Sequence, residues 1–123
     1  MELREIKPTA DVEFETAEGL LKFTVQHIPN DRVALDFLAK SRVSDRMRAA
    51  LDEAILDWNL AHDDGTPWPC DAETKAKLLP QLVVLPLQKP RLGPGGEELS
   101  PAGVLLGLAL FEFVQNAGNF LKN

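Results

Sequence analysis

His62, Asp63 and Asp64 stand together in the stretch DWNLAHDDGTPWPC (57–70), and Cys70 closes it. An imidazole and two carboxylates are metal-ligand types, and a thiol near an imidazole is the pairing of a nucleophile with its base. Adjacent residues do not converge on one ion without further ligands, and Leu60 would occupy the first ligand position of an EF-hand loop laid over this stretch. The pattern reads instead as a solvated helix end with turn-forming aspartates. Cys70 reads as a small buried apolar residue, and His27, with no recognisable triad partner, as a surface or half-buried histidine. GPGG at 93–96 lacks the Lys-Ser/Thr that completes a phosphate-binding loop. The expectation is therefore a non-enzyme with no catalytic residue, no metal and no cofactor.

Composition narrows the partner classes. The 123 residues suffice for one domain with its own core, and 1–123 is expected to be a single domain. Nineteen acidic against thirteen basic residues give a net charge of −6, which argues against nucleic acid. The single cysteine suits a reducing compartment. MELREIKPTADVEF has neither the basic start nor the apolar run of a signal peptide, so export is not expected. The longest apolar run, GVLLGLALFEFV (103–114), is too short for a membrane span and is interrupted by Glu112.

The elements that would position these residues follow from periodicity. Two alternating runs joined near Gly19 predict a β-hairpin over 11–28, with Phe14, Leu21, Phe23 and Val25 facing inward. Helices are predicted over about 31–40 from Asn30, over 44–61 from Ser44, over 72–79 from Asp71 and over 101–121 from Ser100-Pro101. In the second of these, Met47, Leu51, Ile55 and Trp58 form one stripe. Pro80 is expected to stop the third, and PQLVVLPLQKP reads as a short helix or an extended segment. The Gly/Pro-rich segment 91–99 is expected to be a mobile loop. The fold class is thus mainly α with an N-terminal β-hairpin, a small domain of about four helices.

Two features remain unexplained by composition. Trp58 and Trp68 flank the Asp-Gly turn, either as a corner in which Trp68 folds back over the helix end or as a partner-binding surface. The last helix is apolar on nearly every face, which calls for burial in a bundle or against another chain. On a helical projection Leu106, Leu110 and Phe113 share the inward face, whereas Leu108 and Glu112 point to a client or a second copy. Trp58, Trp68, Leu105, Leu108, Phe111 and Glu112 are the candidate protein-binding residues.

Over most of residues 11–80 the chain resembles the small tail assembly chaperones of long-tailed bacteriophages and prophages. The resemblance rests on Asp57-Trp58-Asn59, on Asp63-Asp64-Gly65-Thr66-Pro67, on the capped helix from Asp71 and on the Lys122-Asn123 ending. Residues 86–100 depart from the family pattern. The resemblance implies a virion-assembly factor of the host cytoplasm that binds the tape-measure protein, keeps it soluble and helps the tail-tube protein assemble before leaving the particle. It also implies possible homo-oligomers and a longer frameshift product. The alternative is a structural phage component, such as a head–tail joining or tail-completion protein.

Overall fold

The computed structural model describes residues 9–28 and 43–120, with side chains from 47 onward in the second segment. The helix expected over 31–40 lies outside the described residues.

Alternation builds the first sheet. Strands β1 (Thr9–Thr16) and β2 (Gly19–Gln26) pair antiparallel with Val12 opposite Phe23 and Phe14 opposite Leu21. Val12, Phe14, Leu21, Phe23 and Val25 are buried on one face, because a period of two sends alternate side chains to the same side. Thr16 closes the turn: its hydroxyl donates to the Gly19 carbonyl at 3.1 Å and accepts from the Glu18 amide at 3.1 Å.

Helix α1 (Val43–Ala54) ends earlier than the predicted 61. Ile55–Trp58 form β3, which pairs antiparallel with β2 and gives the order β1-β2-β3. Three interactions cause the switch. The Asp52 carbonyl accepts from Lys75 Nζ and the Glu53 carbonyl from Gln26 Nε2, which satisfies helix-end acceptors from outside the helix. The open edge of β2 then offers a ladder to Ile55, and Leu56 is the extra residue of a bulge between Val25↔Ile55 and Thr24↔Asp57. Asn59 extends this pairing with its side chain, accepting from the Lys22 amide and donating to the Leu20 carbonyl.

Helix α2 (Ala72–Leu82) starts where expected. Asp71 is its N-cap and accepts from the Thr74 amide at 2.8 Å. It runs past the predicted stop at Pro80. The hydrogen bond that Pro80 cannot make belongs to the Ala76 carbonyl, and both residues are exposed, on the side of the helix where solvent can reach that carbonyl.

The Gly/Pro-rich segment expected as a mobile loop is a hairpin, β4 (Arg91–Leu92) with β5 (Glu98–Ser100). Its turn is closed by the Gly93 amide donating to Glu97 at 2.8 Å and the Gly96 amide donating to Gly93 at 3.0 Å. Ser100 therefore lies in a strand rather than capping a helix. Residues 103–107 pair with 83–87: Gly103 donates to Leu87, Leu87 to Val104 and Leu106 to Leu85. Helix α3 consequently spans Leu106–Gln115, not 101–121, and is followed by a 3-10 turn, Ala117–Phe120. With three helices and two antiparallel sheets among the described residues, the fold is α+β, which corrects the mainly α expectation of about four helices.

The core lies between the sheet and the helices. Leu51 and Ala54 from α1, Leu79 and Leu82 from α2, and Leu106, Leu110 and Val114 from α3 meet Phe14, Phe23 and Val25. Each fully buried Leu, Val or Phe contributes about 1.5–3 kcal/mol relative to an exposed one. Gly107 permits the start of α3 to sit close against Val83, since a Cβ there would lie 2.6 Å from Val83 Cβ and 3.0 Å from its carbonyl oxygen. Gly107→Ala should therefore destabilise by about 1–3 kcal/mol through overpacking, against the gain of up to about 1 kcal/mol that alanine brings to a helix. Urea unfolding checks this, and a stabilised variant would contradict the close packing.

Candidate functional site

The residues with chemical potential are committed to structure. His62 and Asp63–Gly65 form the tip of a tight hairpin in which the His62 amide donates to Thr66 and the Gly65 amide to His62, each at 2.8 Å. Gly65 takes φ 89°, the conformation that lets the turn rejoin its strand. Asp64 accepts from the Thr66 amide at 2.9 Å, and this bond holds its carboxyl below the usual carboxylate value. The His62 ring stacks on Trp68 with centroids 3.6 Å apart. Among the described residues no group of three or more His, Cys, Asp or Glu is placed to share a metal ion.

Cys70 is half-buried, and desolvation pushes its thiol up despite the opposing charge of Lys75. A raised value keeps the thiol protonated and a poor nucleophile. His27 serves the fold: its Nε2 donates to the Gln115 carbonyl at 3.2 Å and its ring packs on Phe120.

The two tryptophans are joined by a hydrogen bond. The Trp68 amide donates to Leu60 at 2.9 Å, Ala61 faces Pro67, and the Trp58 indole Nε1 donates to the Trp68 carbonyl at 2.9 Å. Trp58 thus pins the returning strand of the corner, and both rings are half-buried. Their outer parts, with the Lys77 ammonium 5.1 Å over the Trp68 ring, remain at the surface.

The second group of candidates lies on α3. Leu106, Leu110 and Phe113 are inside, and Leu105 and Leu108 are 45% and 47% exposed one turn apart on the outer side. Phe111 is half-buried against the core, so only part of it is available to a partner. Glu112 is exposed, and its charge opposes the downward push that burial gives Arg91, whose guanidinium lies 5.1 Å from the Phe113 ring.

Sequence reasoning missed Val84, which is 58% exposed, and Pro86, which faces Leu105 across the 83–87 pairing. Together they extend the apolar surface of Leu105 and Leu108. The signal was the alternation in Leu82–Leu87, where Val83 and Leu87 turn inward and Val84 and Pro86 outward. The structure brings the six candidates together as two separate surfaces, the tryptophan corner and the outer side of α3.

The division of α3 is testable with Leu110→Asp and Leu108→Asp, each followed by thermal unfolding. A carboxylate at Leu110 has no partner inside the core and should cost several kcal/mol, enough to unfold the chain, whereas at Leu108 the change should stay within about 1 kcal/mol. Equal losses at both sites would show the outer side to be buried.

Comparison with known proteins does not narrow the function further, since no family model, no curated protein and no solved structure matches this chain.

Proposed function

We propose that this chain is a tail assembly chaperone of a long-tailed bacteriophage or prophage, a non-enzymatic factor that binds the tape-measure protein, keeps it soluble and promotes assembly of the tail-tube protein. It would act in the host cytoplasm and leave the finished particle. The observation that carries the reading is the exposed apolar surface on α3, Leu105 and Leu108 continued by Val84, on a chain of net charge −6. An apolar helix face left outside a core is suited to lie against the apolar face of another helix, and a net charge far from zero keeps such a complex dispersed. No helix among the described residues is long and apolar enough to cross a membrane, so this surface is not part of a helical span.

The test is co-expression with a tape-measure protein encoded beside it. The client's soluble fraction should rise, a complex should survive gel filtration, and Leu105→Asp should weaken that complex about tenfold or more, because even partial desolvation of a carboxylate exceeds the ~1.4 kcal/mol of a tenfold change. A client equally soluble alone, or a complex indifferent to Leu105→Asp, would refute the reading. Recovery of the chain from purified particles would instead favour a structural component of the virion.

A further inference from the structure

We infer that the groove between the β1–β2 turn, the tryptophan corner and α2 is a docking site for a basic amphipathic helix of a partner protein. The groove has a volume of about 550 Å³, and its apolar lining comes from three separate parts of the chain. Leu20 projects from β2 and is 44% exposed, Leu60 and Trp68 come from the corner, and Leu78 and Leu85 come from α2 and the segment after it. This is a surface distinct from the α3 side, none of whose residues lines it.

Charge selects the occupant. The charged groups lining the groove are Glu18, at the β1–β2 turn, and Asp63, at the tip of the corner, both exposed. Among the described residues no Lys or Arg lines it, and the neighbouring Lys77 is held over the Trp68 ring. Apolar side chains flanked by lysine or arginine complement such a site, whereas an acidic segment is repelled.

Main-chain bonding selects the secondary structure. An extended peptide would need free amides and carbonyls along the groove wall. Some of these are already used: the Leu20 carbonyl accepts from Asn59 Nδ2, and the Leu60 carbonyl accepts from the Trp68 amide. With those carbonyls taken, the apolar side chains are the groups the wall offers, which suits a helix that lays apolar anchors at successive turns into a groove. The inference does not depend on the chaperone reading, which concerns the α3 side.

The test titrates the whole chain with a synthetic helix of about 18 residues carrying Leu on one face and Lys on the other, and with its Leu/Glu counterpart. Trp58 and Trp68, the two tryptophans of the chain, report by fluorescence. The Leu/Lys peptide should bind saturably and at least about tenfold more tightly than the Leu/Glu peptide, and more weakly as salt rises from about 50 to 300 mM. Glu18→Lys with Asp63→Lys should weaken it about tenfold, and Leu20→Asp, at an exposed position, should abolish it in a chain that stays folded. Leu108→Asp and the matched reversal Glu97→Lys with Glu98→Lys should leave it unchanged. Equal binding of both peptides, loss on Leu108→Asp, or an equal effect of the Glu97/Glu98 reversal would overturn the assignment.

Discussion

Both ends of α3 are closed by groups from other parts of the chain, and the rest of the molecule is arranged around that constraint. At its start, where Leu105 provides no side-chain cap, the Leu106 amide donates to Leu85 at 2.7 Å and the Gly107 amide to Val83 at 3.0 Å. At its end, Val114 accepts from the Ile28 amide at 2.9 Å and Gln115 from the His27 ring. Helix-end amides and carbonyls lack partners within their own helix, so supplying them from 83–85 and 27–28 ties an apolar, uncapped helix to both the sheet and α2. The rotation of α3 is fixed at the same time. Leu106, Leu110, Phe113 and Val114 must face the sheet, and Leu105 and Leu108 are left outside.

How much of this could be read from the sequence depended on whether the signal was local. The hairpin could be read because its alternation and its turn lie within one stretch, and the N-cap at Asp71 because capping is a contact over three residues. The inward side of α3 followed from its 3.6-residue period even though the predicted start was wrong. What failed depended on distant partners. Ile55 is buried whether Ile55–Trp58 continue a helix or form a strand, and the edge of β2 decided between the two. Ser100-Pro101 carries a helix-start signal, but residues 83–87 offer the following segment a main-chain ladder first, and the Ser100 hydroxyl ends up buried without a hydrogen-bond partner. Local preference gave way to tertiary pairing in each case.

The candidate surfaces were legible to a similar degree. Trp58 and Trp68 stood out by type and spacing, but that the indole of one binds the carbonyl of the other needed the hairpin between them. Leu105 and Leu108 followed from the projection. Val84 and Leu20 were missed although alternation places both outward, Val84 between the buried Val83 and Leu87 and Leu20 beside the buried Leu21 and Phe23, because what makes each part of a larger surface is its neighbours in space. The result is a small domain with exposed apolar side chains on the outer side of α3 and an acid-rimmed groove beside the tryptophan corner.

Main-chain bonds from 83–85 seat α3. Amide hydrogen exchange at Leu106 and Gly107 tests this most directly, because the first amides of an uncapped helix normally exchange as rapidly as frayed ends do. These two amides should be protected to the same level as the paired amides of β2 and exchange only through global unfolding. Rapid exchange at both, with the interior of α3 still protected, would contradict this seating.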